Sequence, residues 1–337
     1  EDPDFEILLF AYSFDGGSVK VLDLKAPKPY FHEDLITFLL DPSILKTAHN
    51  ANFEITCISK YFGIELDPAQ WQCTMVLAAI AGLPLSLGEV SKVLNLEEQK
   101  DTKGKALLNY FSKPCKPTKA NGERTRNLPQ HAPEKWAELI EYCRQDVVTE
   151  MAVKDKLSFV KVTEKEKALW VLDQQINDRG VGVEMQLVEN AIKLDDINRT
   201  RLVDEASDLT GLDNPNSVAQ IKQWLQDMLE CDEIKSLNKE AVNKLIKSNE
   251  DPNIHDLLKL RQEMGKTSVK KYAKIQGSVC ENGRVKGLLQ YYGANRTGRW
   301  AGRIVQMHNL PQNHLKDLDA ARNLLLDGDL DTLTLCY

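Results

Sequence analysis

The sequence predicts an α/β layer in its first half, followed by a mainly helical second half. Three observations carry that reading. Short β-rich runs bounded by turn residues alternate with helix-periodic runs at the start of the chain. A long helical run, Pro133 to Leu157, opened by a proline in its first turn, closes that part. A capping box, Thr163-x-x-Glu166, then introduces a region where nearly every periodic run is helical.

Each element follows from local chemistry. Ile7 to Phe14 (ILLFAYSF) is rich in β-formers, Asp15-Gly16-Gly17 signals a turn, and Val19 to Leu24 alternates again, which together predict a hairpin. Asp34 to Leu40 is a short helix closed by Asp41-Pro42, and Ile44 to His49 is a strand. Ala51 to Phe62 has helical periodicity and stops near Gly63. Short helices are expected over Thr74–Ala81, Leu87–Leu94 and Lys103–Tyr110. Lys113 to Pro129 holds three prolines and a glycine and is expected to lack regular structure. The domain boundary is placed near residue 160, giving regions 1–160 and 161–337. Beyond it, Arg179-Gly180-Val181-Gly182-Val183 breaks one helix and leads into the next. Asn214 to Ser217 is a turn and N-cap ahead of Val218–Met228, and Asn238–Lys247 is another short helix. His255 to Ile275 reads as the longest helix of the second half.

Composition narrows the class. The 337 residues suit two domains, and 42% apolar with 28% charged residues is ordinary for a globular protein. No apolar run is long enough to span a bilayer, so no membrane partner is expected. The seven cysteines are odd in number, scattered and without a Cys-x-x-Cys pair, which fits reduced thiols better than disulfides or zinc. The chain starts at Glu1 and stops at Tyr337 inside an apolar run, so it is expected to be a fragment.

Net charge is −7, yet Lys259 to Arg303 carries eleven Lys or Arg against two acids. That window is +9 and the remainder −16. A basic stripe on an acidic body is the footprint of a protein that grips phosphate locally; a solvated helix face and basic loop is the other reading. The segment YYGANRTGRWAGRIVQMHNLPQN sets Arg296, Arg299 and Arg303 among glycines, which suits close backbone approach to a polyanion.

A second constellation lies earlier. His49-Asn50-Ala51-Asn52-Phe53-Glu54 sits where a strand hands over to a helix. Tyr142 and Asp146, one turn apart in the long helix, share a face. Two carboxylates and a phenol suit two-metal attack on a phosphodiester, with the phenol orienting the water. Taken singly, each of these residues is an ordinary surface group.

In combination, HNANFE and YCRQD resemble the second and third motifs of the proofreading domain of family A DNA polymerases. The resemblance implies a ribonuclease-H-like 3′–5′ exonuclease domain, with Asn50, Glu54, Tyr142 and Asp146 as catalytic residues. It implies two Mg2+ or Mn2+ ions, with Glu54 and Asp146 as metal ligands. Glu54 departs from the aspartate usual at its position. Asp4-Phe5-Glu6 is rejected as the first motif, because it runs straight into what looks like the second strand. The true Asp-x-Glu pair is expected upstream, which leaves the first strand missing and the fragment a poor nuclease.

Residues 164–313 resemble the start of the polymerase domain of the same family, with a thumb and the beginning of the palm. The match runs through the Gly180–Val183 element, the NPNS turn, the basic helix with Lys266, Lys270 and Lys271, and Thr297-Gly298-Arg299-Trp300. It implies that the three lysines track a phosphate backbone from one helix face and that Arg296, Arg299 and Arg303 contact DNA. Arg299 is implied to reach the minor groove, whose acceptors barely depend on sequence. Asn309 and Gln312 are weaker candidates, since Pro311 interrupts the expected order. Trp300 reads as a core anchor ahead of a base-stacking residue. The catalytic motifs of polymerisation are absent, so the fragment itself is expected not to polymerise. The implied partners are DNA primer–template, a single-stranded 3′ end and, in the parent enzyme, dNTP. A monomer acting in DNA replication in the cytoplasm of a phage's bacterial host is expected. The loop Lys113 to Pro129 reads equally as a guide for a frayed strand or as a solubilising segment. Two other readings compete: a stand-alone exonuclease of the RNA-processing kind, and a non-catalytic DNA-binding module.

Overall fold

A hairpin starts the chain. β1 (Leu9–Tyr12) pairs antiparallel with β2 (Lys20–Asp23), Leu9 opposite Asp23 and Tyr12 opposite Lys20. Asp15 and Gly16 take positive φ in the turn, and the Gly17 N–H donates to Phe14 O at 2.8 Å. After α1 (Glu33–Leu40), β3 (Lys46–Ala48) runs through α2 (Ala51–Phe62) to β4 (Trp71–Cys73), with which it pairs in parallel. A parallel pair needs such a crossover. Gly63 ends α2 in the left-handed region, as expected of a C-cap glycine. These are the strand–helix units the sequence pattern indicates. Described here are residues 4–26, 33–97, 104–231, 233–266, 269–310 and 314–337 of the computed structural model.

Helices α3 (Thr74–Ile80), α4 (Leu87–Val93) and α5 (Gly104–Ser112) precede the long α6 (Pro133–Lys156) and then α7 (Glu164–Arg179). The Thr163–Glu166 capping box forms, each side chain bonding the other's backbone N–H. Between α5 and α6 the polar loop is tied rather than loose. Cys115 N–H donates to Thr125 O at 2.7 Å, and Thr118 and Asn121 cap each other.

Contacts divide the chain into two units, Glu1–Gly180 with Gly287–Gln306, and Val181–Lys286 with Met307–Tyr337. The first unit therefore runs past residue 160. Trp170 on α7 is buried in the same cluster as Leu35, Ile58, Trp71 and Val76. The hairpin of β7 (Leu289–Ala294) and β8 (Arg299–Gly302) also belongs to this unit, because β7 packs on α7 and contributes Tyr291 to that cluster. Among the described residues the strands form separate two-stranded pairs.

The second unit holds the antiparallel pair β5 (Val181–Gly182) and β6 (Arg284–Val285). Its helices are α8 (Met185–Thr210), α9 (Val218–Leu229), α10 (Lys239–Ser248), α11 (Pro252–Met264), α12 (Lys270–Gln276), α13 (Leu318–Asp327) and α14 (Leu330–Cys336). Ile221, Leu225, Leu257 and Leu258 are fully buried in its core. The single helix expected from His255 to Ile275 is two helices. α11 ends at Gly265, whose N–H bonds Arg261 O, and α12 starts at Lys270. Glycine's low helix propensity ends the run although the apolar period continues. The longest helix is instead the 26-residue α8.

The second core should tolerate no truncation. Leu257→Ala is expected to lower stability by about 2–5 kcal/mol, read as a lower urea midpoint with unchanged m-value.

Candidate active site

Two helices bring the predicted exonuclease residues into one cleft of about 1490 Å3 within the first unit. Asn50 is the N-cap of α2, in the left-handed region (φ 70°, ψ 50°), and its side chain makes no capping bond. Asparagine is the preferred cap partner of a helix start, so here the amide is left available to the cleft. Glu54 lies one turn into α2, where the helix dipole favours a negative charge. From α6, Tyr142, Asp146 and Glu150 line the same cleft at steps of one helical turn.

The carboxylates are drawn out of water. Glu54 is half-buried as a residue, but its Oε2 is shielded from solvent and has no hydrogen-bond partner among the described residues. Burial, and then the charge of Glu150, raise its pKa from 4.5 to about 7. Glu150 is only 7% exposed and its Oε1 has no hydrogen-bond partner among the described residues. Burial raises its pKa also, opposed by Lys154 and by a hydrogen bond with Thr74. Thr74 Oγ1 lies 3.0 Å from His49 Nδ1, while His49 Nε2 lies 2.8 Å from Leu85 O and must donate to it. The motif histidine is thereby fixed as scaffolding. Cys143 is pushed up to about 11 by burial and the Asp146 charge, which makes it inert as a nucleophile.

Sequence reasoning missed Glu150. Its signal was legible, since it follows Asp146 by four residues on one helix face. The Tyr142 ring is buried among Leu107, Phe111, Trp136 and Leu139. Gly104 abuts it so closely that a Cβ there would stand 1.9 Å from the ring, so only glycine fits. Glu6 of the rejected Asp4-Phe5-Glu6 is bound by Lys25 and, at 3.0 Å, by Arg126. The Lys25 hydrogen bond and charge hold its carboxyl below the usual range, at the base of the hairpin.

Hard carboxylate oxygens suit Mg2+ or Mn2+. Among the described residues, however, no group of three or more His, Cys, Asp or Glu side chains is arranged to hold a metal. Glu54 and Asp146 are the two acids of the expected ligand set, and both line this cleft. Neither of the two expected ions has a set of three or more such side chains among the described residues.

The expected DNA-contact residues fall in both units. Arg296 and Arg299 are exposed at the turn of the β7–β8 hairpin, where Arg299 Nε donates to Thr297 Oγ1 at 3.1 Å. Gly298 takes φ +64° at that turn, packed 3.1 Å from the Tyr292 ring if it carried a Cβ. Arg303, just past β8, is exposed and borders the cleft. Lys266, Lys270 and Lys271 lie in the second unit and do not share one helix face. Lys266 follows α11 and pairs with Glu263 at 2.5 Å, whereas Lys270 and Lys271 are neighbours opening α12. Lys271 Nζ donates to Asn309 O at 2.9 Å. Pro311 and Gln312 lie outside the described residues. Trp300 is 37% exposed, but its Nε1–H donates to buried Asp173 at 2.7 Å, so its polar edge is anchored while part of the ring stays open.

No protein-family model matches the sequence. All 337 residues align at 53% identity with a DNA polymerase of Bacillus phage SP02. The chain is homologous to part of a phage DNA polymerase. It spans 52% of that relative, about half its length. A solved structure of the POL domain of Pol1 from M. smegmatis, described as a complex with DNA primer-template and dNTP, is similar with a TM-score of 0.56. That likeness covers 94% of this chain and 51% of the other at 17% identity, and speaks for the fold alone. Among the described residues no helix is long and apolar enough to cross a membrane.

A carboxylic acid whose folded pKa exceeds its unfolded one keeps its proton longer when folded. Stability should therefore fall as pH rises from 4.5 to about 7, and stay lowered above. Without divalent cations, Glu54→Gln should stabilise the protein at pH 8 by about 2 kcal/mol and change little at pH 4.5. Urea unfolding in EDTA at the two pH values checks this. Mn2+ binding, which requires the ionised form, should strengthen about tenfold per pH unit below 7 and level off above.

Proposed function

We propose that the chain comprises the 3′–5′ proofreading exonuclease and the primer-holding thumb and early palm of a phage-type DNA-directed DNA polymerase. One observation carries the reading. Asn50, Glu54, Tyr142 and Asp146, remote in sequence, line one cleft in a chain 53% identical to a phage DNA polymerase.

The cleft also supports a ribonuclease-H-like first domain. Consecutive residues of Phe5–Gly16 and of Ile44–Asn50 line it. Side chains alternate across a strand, so a lining that takes every residue presents a strand edge. β1 and β3 each have one edge unpaired among the described residues.

The roles follow from placement. Glu54 and Asp146 hold the divalent cation, Mg2+ or Mn2+. When bound, the cation would supply Lewis acidity and lower the pKa of a water it coordinates. Tyr142, its ring clamped by Gly104, orients that water. Asn50 positions the terminal nucleotide. Arg296, Arg299 and Arg303 hold the primer end, and Lys266, Lys270 and Lys271 contact backbone phosphate. Primer–template, a single-stranded 3′ end and dNTP are the proposed partners of the complete enzyme, acting on phage DNA inside the bacterial host.

In the full-length protein with Mn2+, Asp146→Asn should abolish trimming of a labelled 3′ end and leave primer–template affinity unchanged. Arg299→Ala should weaken primer–template binding about tenfold, equally for all template sequences. Sequence-dependent loss would contradict the minor-groove role. Binding without any metal-dependent trimming would favour a non-catalytic DNA-binding module.

A further inference from the structure

The first unit contains a buried carboxylate that the proposed chemistry does not use. Asp173, on α7, is 2% exposed and has no ion-pair partner among the described residues. An ionised group so placed is tolerated only if hydrogen bonds replace its water. Four donors do so. Trp300 Nε1–H reaches Oδ1 at 2.7 Å, and Gln174 Nε2–H and Asn177 Nδ2–H reach Oδ2 at 3.0 and 3.1 Å. The backbone N–H of Tyr291 is the fourth.

The origin of those donors is informative. Tyr291 and Trp300 belong to the β7–β8 hairpin, one on each strand, and their rings meet edge-on at 5.3 Å. Asn177 grips the same hairpin again. Its Nδ2–H donates to Leu289 O at 2.9 Å and its Oδ1 accepts from Leu289 N–H at 2.8 Å. Gln174, 5% exposed, uses its Oε1 to accept from Asn52, which lies between Asn50 and Glu54 on α2. A single carboxylate thus gathers the hairpin that carries Arg299 and, through one amide, the helix that carries Glu54. Apolar packing alone could bury this hairpin without fixing its angle; directional bonds to a buried acceptor fix it.

We propose that Asp173 is a positioning residue for DNA binding. It locks Trp300, and so sets adjacent Arg299 and the hairpin against the helix of the nuclease cleft. This rests on the reading of the hairpin as a primer-end contact.

The test measures anisotropy of a fluorescent duplex with a recessed 3′ end, bound to the full-length protein, for three single variants and two double variants. Asp173→Asn turns one acceptor into a donor facing the amides of Gln174 and Asn177. Trp300→Phe keeps a ring and removes only the N–H. Each should weaken binding about tenfold, the scale of a hydrogen bond to a charged group. In the Arg299→Ala background neither Asp173→Asn nor Trp300→Phe should weaken binding further, since both act through that arginine. In wild type, tryptophan emission should carry a Trp300 component that shifts in Asp173→Asn and is missing in Trp300→Phe. If Asp173→Asn fails to fold, Trp300→Phe alone decides. Unchanged binding in the folded variants, or losses that add fully to that of Arg299→Ala, would overturn the proposal. If Arg299→Ala itself binds like wild type, the primer-contact reading fails instead.

Discussion

Three carboxylates withdrawn from water into one cleft are the constraint around which the first unit is built. Glu54 and Glu150 each keep an oxygen without a hydrogen-bond partner among the described residues, and Asp146 lies one turn from Glu150 on α6. Such an arrangement is costly for a protein that uses it only for structure. The surrounding elements hold it in place. β3 and β4 start α2 and α3, so that Asn50 and Glu54 face the cleft while Thr74 bonds His49 and Glu150. Gly104 lets α5 press onto Tyr142, the residue one turn before Asp146. A hard cation is the partner we propose for such oxygens.

The contrast with Asp173 is instructive. Both sites bury acid, but Asp173 is surrounded by four hydrogen-bond donors, whereas Glu54 Oε2 has none among the described residues. A satisfied buried carboxylate organises structure; an unsatisfied one at a cleft points to ligand chemistry. The satisfied acid is bonded to both strands of the arginine-bearing hairpin.

Much of this was legible in sequence where local chemistry dictates geometry. Ala51–Phe62 was bounded to the residue, because a strand-to-helix handover precedes it and a left-handed glycine ends it. The Thr163–Glu166 box located the start of α7. What sequence could not show was long-range. Nothing local indicated that 287–306 would return to the first unit, since Tyr291 and Trp300 find their acceptor on α7. Gly265 was read as one residue of a continuing helix, and it ends one, which separates Lys266 from Lys270 and Lys271. The basic window, one stripe in sequence, is accordingly divided between the two units. Glu150 was legible only as a second acid on the helix face of Asp146, and its burial is what separates it from a surface acid.

The central claim is that the cleft acids exist to hold a divalent cation. Anomalous diffraction from crystals soaked in Mn2+ tests it most directly. The account predicts a peak within ligand distance of both Glu54 and Asp146, lost in Asp146→Asn. A manganese found only elsewhere, with the Glu54 and Asp146 carboxylates unliganded, would contradict it.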